Sequence, residues 1–477
     1  MVFTQHEILP YSGLPPEIWK EVIVHLSKAS RRICLSVSRM FHDFAVRLVF
    51  SEVTVHFGAW ENHEHEDILH GDELEDERSC RSFGLLNRII VDPSFASVIR
   101  DMEVHAFKLD GVRGAFEICC LVTAIGSLRE LSSFLWHGNA PLPTAAVIES
   151  LERSCRQLRA LSVPLESLDA LPFERLSFVR SISISTTWPD EDLITDHSLT
   201  TVKCKTVHEN LQMLEFPFHS PMNVPVNYLP NLTHLGLVIV STLDGLGPAL
   251  LQLPHLRSLS VFSPSQQEDT LFTTLSSLRQ ELRGLTSLAL QCYDSSILPA
   301  HHAQMLANFL RDRHLLRRLY CNFEIPPESM SFYLDSVGTL KKLEVFDLRM
   351  TSQPFTAEFI AGLLAHLPAG LAAMKLTSKG SLSDASVFSR FWSHFTDFQY
   401  LYIRTWAETD IKPDAIIAGA ETLRLIGYNG HFYDVEHTSG KPTLCLPWSA
   451  RKVVFRNARD LGCEGWEWLM RHLTIVP

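Results

Sequence analysis

The sequence has no apolar run of 18 residues, which excludes an ordinary membrane-spanning helix. Met1 to Leu9 carries neither a basic start nor an apolar core, so no secretory signal is expected. The ten cysteines form no CxxC and no zinc-finger spacing, and several, such as Cys155 and Cys321, fall at apolar positions. They read as small buried hydrophobes of a reducing compartment, cytoplasm or nucleus. Basic charge is in deficit: 42 Lys and Arg stand against 54 Asp and Glu, a net charge of −12. Nucleic-acid binding favours a basic domain, so no such partner is expected, and no membrane partner either. Catalytic signatures are missing as well: there is no GxSxG, no phosphate-binding GxxxxGKS/T, no HExxH and no GxGxxG after a strand. The expectation is a non-enzyme with no cofactor and no metal site, monomeric on its own.

What is present begins with an uneven distribution of charge. Residues 61–77 hold nine acids and no Lys or Arg, and without those nine the remaining chain has a charge of −3. A block of like charge reads as a solvated insert, so residues 58–84 are expected to form an acidic flexible linker. His63, His65 and His70 lie in it among carboxylates, where a charged linker explains them better than a ligand set of fixed geometry. His301-His302 read as exposed histidines at a helix start.

From residue 85 onward an LxxLxL pattern recurs. Its copies include Ile99/Met102/Val104, Leu158/Leu161/Val163, Leu232/Leu235/Leu237, Leu285/Leu288/Leu290, Leu343/Phe346/Leu348 and Phe398/Leu401/Ile403, with weaker copies centred on Leu131, Leu423 and Val453. The mean step is about 27 residues, inside the leucine-rich-repeat period of about 20–29. Between copies, spacings such as Val147, Leu151, Cys155 and Phe359, Leu363, Leu367 predict helices. Each unit is then a helix feeding a short strand. Stacked strands are expected to form a parallel sheet on a concave face, with helices on the convex face. Steps vary from 21 to 32 residues, so the array is expected to be irregular. Trp466-Glu467-Trp468-Leu469 reads as a capping helix closing its core.

Side chains alternate along a strand, so the residues flanking the middle leucine project from the concave face. In the first half of the array these are mild, as at Ser258 and Ser260. In the second half they turn basic and aromatic: Arg318, Tyr320, Arg349, Lys375, Tyr400, Tyr402, Arg404 and Arg424. Arg suits carboxylate or phosphate, and Tyr offers rigid contact area, so this patch is the candidate reader of an acidic or phosphorylated client segment. A solvated strand face, or the acidic 61–77 stretch folded over the patch, remains open as an alternative.

Near the start, Leu14-Pro15-Pro16-Glu17-Ile18-Trp19 reads as a helix opening, with prolines in the first turn and an acid at the positive end of the dipole. Ile18, Val22 and Leu26 form an apolar stripe, which Trp19 and Ile23 widen. A second stripe runs through Val37, Phe41, Phe44 and Leu48, and Phe50 to Phe57 alternates as a short strand. Leu14-Pro15-Pro16-Glu17-Ile18, followed by Val37-Ser38-Arg39-Met40-Phe41, resembles the F-box over roughly residues 12–57. The usual leucine-rich middle is replaced by Ser30-Arg31-Arg32-Ile33-Cys34-Leu35. The resemblance implies that Leu14, Pro15, Ile18, Val22, Leu26, Val37 and Phe41 contact the adaptor subunit of a cullin–RING ubiquitin ligase. The expected fold class is α/β: a small all-α F-box-like domain over 1–57, the acidic linker over 58–84, and an irregular leucine-rich-repeat solenoid with a C-terminal cap over 85–477. The expected function is that of a substrate receptor. The alternatives are a repeat-based interaction scaffold without a ligase and, from the enzyme class, a hydrolase in an α/β domain.

Overall fold

The structure, a computed structural model, describes residues 14–26, 28–60, 71–107, 111–164, 166–167, 173–184, 208–217, 226–238, 242–264, 267–293, 297–350, 354–382, 384–407, 410–438 and 440–471. The chain divides into two units, residues 1–171 and 172–477.

The first unit opens with helices Pro16–Val24, Lys28–Cys34 and Arg39–Val49. Four strands follow, β1 (Glu52–Gly58), β2 (Asp101–Phe107), β3 (Ser133–Ala140) and β4 (Ala160–Val163), each parallel to the next. Alternation decides which face is which. Val53, Val55 and Phe57, Met102 and Val104, and Phe134 and Trp136 are buried, and the residues between them project from the other face. Burying a side chain of this size is worth about 1.5–3 kcal/mol, so a one-residue register slip would cost many times that. Helices Gly71–Val91, Gly111–Ile125 and Ala145–Ser154 supply the covering layer through Leu86, Ile89, Leu121, Ile125, Val147 and Leu151.

Two expectations are corrected here. The linker over 58–84 is helical from Gly71. Its glutamates, Glu73, Glu75 and Glu77, are good helix formers, its apolar residues pack on neighbouring helices, and the Ser82 hydroxyl accepts the His56 backbone N–H at 2.8 Å, tying the helix to β1. The repeat sheet therefore begins at β1, not at residue 85. Residues 61–70, with His63, His65, His70 and four of the nine acids, lie outside the described residues.

The second unit continues the pattern: β5 (Ser181–Ile184), β6 (Met213–Pro217), β7 (His234–Val238), β8 (Ser258–Pro264), β9 (Ser287–Tyr293), β10 (Arg318–Cys321), β11 (Glu324–Ile325), β12 (Val345–Met350), β13 (Ala373–Ser378), β14 (Tyr400–Thr405) and β15 (Leu425–Tyr428). The pairs from β5 to β15 are parallel, with β10 and β11 both pairing along β12. Helices Leu246–Leu251, Glu268–Ser277, Ala300–Leu310, Pro327–Val337, Ala357–His366 and Ser389–His394 alternate with the later strands. A backbone ladder sets the register before each strand. Arg257 donates to Thr233, Thr286 to Arg257, Arg317 to Thr286, Glu344 to Arg317, Ala372 to Glu344, Gln399 to Ala372 and Arg424 to Gln399, all within 2.7–2.8 Å.

The ladder corrects the weakest repeats. Its residue lies two before the middle of each strand motif, so the last copy is centred on Ile426, not Leu423, and the equivalent rung from Ser132 to Arg100 centres the early copy on Phe134, not Leu131. The Val453 copy is helical, in Ala450–Val454. In its place β16 (His431–Thr438) turns back antiparallel on β15, and β17 (Lys441–Pro447) on β16. The hairpin terminates the sheet, with Phe432 stacked on Trp448 at 5.3 Å. The helix Glu464–Met470, expected as a terminal cap, packs instead on the strand face against β10, β12 and β13. Trp466 stacks on Tyr400 at 5.4 Å, and Gly465 lets the helix come close to Val345. The fold is α/β, an all-α opening followed by an irregular leucine-rich-repeat solenoid.

Candidate functional site

Three surfaces carry unexplained chemistry. The first is the helical opening. Pro15 and Pro16 start the helix, and Ile18 and Trp19 donate to the Pro15 carbonyl at 3.0 and 3.3 Å. Ser38 caps the third helix by accepting from the Phe41 N–H at 3.2 Å. Arg31 ties the module together by donating to the Ile23 and Val24 carbonyls at 3.2 and 2.5 Å, which closes the first helix. Ile23, Cys34 and Ala45 form a small core, with Leu26, Leu35, Phe41, Phe44 and Leu48 packed on it.

The neighbouring apolar rows of the first helix thus split. Ile23 and Leu26 face inward, while Leu14, Ile18 and Val22 are 50%, 45% and 40% exposed and Val37 is 54% exposed. Pro15 is exposed beside them. Of the residues that the F-box resemblance nominated, Leu14, Pro15, Ile18, Val22 and Val37 are open, whereas Leu26 and Phe41 are half-buried in the module's own core. Ile33, also exposed, was not nominated, because the Arg-rich middle masks its place on the helix.

The second surface is the strand face of the second unit. Asp347, Lys375 and Tyr402 sit side by side in register, as do Arg349, Thr377 and Arg404. Lys375 Nζ lies 3.1 Å from Asp347 Oδ1 and 4.7 Å above the Tyr320 ring. Burial pushes the Asp347 carboxyl up, with Lys375 opposing the shift, and pushes the Lys375 ammonium down, with Asp347 opposing. Tyr320, Lys375, Tyr400 and Tyr402 are all buried, Tyr400 beneath Trp466. Arg318 is half-buried, two strands from Lys375 across β12, and is influenced by Glu464. Arg424 stands apart: it is the rung of the backbone ladder before β15, on the rim with Arg317 and Glu344.

What remains reachable is a tighter cluster. Arg349 and Arg404 lie 5.6 and 4.9 Å from the ring of Trp406, which is 48% exposed. Lys379 Nζ and Arg349 Nη2 meet Glu324 at 2.7 and 3.3 Å, and Glu324 is buried. Lys379 and Trp406 escaped the sequence reading. Each lies one residue past the end of its strand, β13 or β14, beyond the alternation that the LxxLxL motif predicts. After the helix Glu464–Met470, Arg471 bonds Glu467 at 2.6 Å and reaches Glu215 on β6 at 3.7 Å. Burial opposes it, but Glu467, Glu215 and Glu464 hold that guanidinium above its ordinary value.

The third surface is the strand face of the first unit, where His56, His105 and His137 stand side by side on β1, β2 and β3. Their ring centroids are 5.0 and 5.2 Å apart, nearly perpendicular. Glu103 Oε2 lies 3.6 Å from His105 Nε2. Burial first, and His105 second, lower His137 to about 4, so its imidazole is neutral at pH 7. His301-His302 needs correction: His301 is exposed, but His302 is buried, stacked on Phe272 at 5.1 Å and bonded to Asp269 at 2.6 Å.

These features define a leucine-rich-repeat protein with an apolar helical module at its start. No protein-family model and no curated protein sequence matches the chain. Solved structures similar to it include Rad7 in its complex with Elc1 from yeast, at 14% identity over 84% of this chain and 96% of that one, with a TM-score of 0.40. The Legionella pneumophila leucine-rich-repeat protein LegL7 is 10% identical over 79% and 99%, with a TM-score of 0.33. An internalin of Listeria monocytogenes is 13% identical over 72% and 93%, with a TM-score of 0.29.

Proposed function

We propose that the chain is the substrate-recognition subunit of an F-box type cullin–RING ubiquitin ligase. In this reading the opening helices dock on the adaptor, the repeat array holds a client, and the chain itself does no bond chemistry. Catalysis is the proximity of client to a ligase assembled elsewhere. The observation that carries the reading is the row Leu14, Ile18, Val22 with Val37. A module that buries its own core has no internal use for that apolar row, and its sequence resembles the F-box. The cluster Arg349, Arg404, Lys379 and Trp406 supports an acidic or phosphorylated client, because Arg binds anions bidentately and Trp anchors them.

The test is co-purification of the adaptor with the full chain. Wild type is expected to capture it in stoichiometric amount, and Ile18→Asp with Val22→Asp to lose it while thermal unfolding is unchanged. Failure of wild type to capture the adaptor removes the ligase and leaves an interaction scaffold built on the same repeats. Arg349→Glu with Arg404→Glu is expected to lose the client and keep the adaptor.

A further inference from the structure

We propose that Glu103, His105 and His137 form a binding site for one divalent transition-metal ion of the zinc class, on the strand face of the first unit. Each residue offers one ligand atom, and the three atoms lie within 4.8 Å of one another. Ligand atoms around a tetrahedral zinc ion stand about 3.3–3.6 Å apart, given bonds of about 2.0–2.2 Å. The 3.6 Å between Glu103 and His105 already meets that spacing. The rest of the closure needs only side-chain rotation, because the backbone has done the harder part. Parallel strands place in-register residues about 4.8 Å apart, so His105 and His137 face each other across one strand spacing. Glu103 is two residues back on the same strand and shares the face with His105.

The donor set selects the ion. Two imidazoles and one carboxylate suit zinc and its neighbours in the first transition row, whereas calcium and magnesium demand oxygen ligands throughout. His105 is buried and Glu103 and His137 are half-buried, which limits competition from water. Three protein ligands leave a fourth position open toward the strand face, on the side where His56 continues the row. The bound ion would join two successive repeats, β2 and β3, and so stabilise the first unit by mass action.

The full chain, stripped with a chelator and dialysed, is titrated with Zn2+ by calorimetry and by thermal unfolding. One equivalent is expected to bind and to raise the melting temperature. Glu103→Gln, His105→Asn and His137→Asn should each weaken binding at least about tenfold. Co2+ bound to wild type should show the strong visible absorption of a tetrahedral site, a readout that does not depend on any variant folding. Two comparison variants locate the ion. His301→Ala with His302→Ala removes the other described cluster of suitable groups, with Asp269, and His63→Ala with His65→Ala and His70→Ala removes the acidic stretch's histidines. Both should bind as wild type does. Absence of stoichiometric binding by wild type overturns the site, as does binding of wild-type strength in the Glu103, His105 and His137 variants.

Discussion

Lys375 shows how far one residue's role depends on what lies over it. From the sequence it is a cation on an open strand face, available to a client. In the structure its ammonium is buried against the equally buried Asp347 at 3.1 Å. Removing one partner of a buried pair leaves an uncompensated charge, at about 3–5 kcal/mol. Lys375→Met is therefore expected to lower stability by about that amount in urea unfolding, and the further change Asp347→Asn to restore most of it. A single-variant cost within about 0.5 kcal/mol, ordinary for a surface site, would mean the pair is not buried in solution. Arg313 makes the same point on the helix face. It is fully buried, donates to the Arg279 and Leu278 carbonyls at 2.7 and 3.3 Å, and lies over Phe309. Arg313→Met strands two carbonyls and is expected to cost about 2–3 kcal/mol. A client experiment should thus rest first on Arg404, because Arg349 is also the partner of the buried Glu324 and its variant must be shown to stay folded, and not on Lys375, Tyr400 or Tyr402.

At the scale of elements, two devices hold the strand face of the second unit together, and each can be broken singly. Gly427 on β15 faces Tyr402 on β14, and a Cβ there would sit 2.2 Å from the Tyr402 ring. Gly427→Ala must push the ring or the strand aside, and about 1–3 kcal/mol of overpacking cost is expected in a denaturant titration. The helix Glu464–Met470 is held by Trp466 on Tyr400 and by Arg471 between Glu467 and Glu215. Trp466→Ala is expected to speed amide exchange over 458–471 and to leave exchange in β12 to β14 near wild type. Equal protection in the variant would show that the stack does not hold the helix. The strands themselves were legible in the sequence because each buries leucines at two-residue spacing in a recurring frame, and only copies with substituted leucines slipped, as around Leu423. The position of the last helix was not legible. Trp466 and Trp468 announce an apolar face, but nothing local distinguishes the end of a stack from its strand face. The histidine row escaped for a related reason: His56, His105 and His137 are 49 and 32 residues apart, and only the register of β1, β2 and β3 makes them neighbours. The acids of 71–77 read as linker because their charge was weighed and the helix propensity of Glu was not.

For the molecule as a whole, the buried histidines set how stability responds to acid. His208 and His302 are buried, and burial lowers both below the ordinary imidazole value; Asp269 partly opposes the shift at His302 and Glu174 at His208. A group whose folded pKa is depressed binds its proton more readily in the unfolded chain. As pH falls through about 6.5, the unfolded chain takes up protons that the native state refuses, and stability declines until the folded values are reached. Buried carboxyls act in the opposite sense at lower pH. Burial raises Asp347 and Glu215, so as pH falls toward the ordinary carboxylate range the native state takes up their protons first and recovers stability there. Burial, and His105 after it, also lower His137 to about 4, so the melting temperature is expected to be level above pH 7.5 and to fall from pH 7 toward pH 4, with the buried carboxyls offsetting part of the fall at its lower end. His208→Gln with His302→Gln should lower the plateau, since each removes packing, but reduce the slope between pH 7 and 5.5. Thermal unfolding across that range separates the two effects. A slope equal to wild type in the double variant would place the acid sensitivity elsewhere, and an unchanged plateau with a reduced slope would show that the two imidazoles contribute charge and not packing.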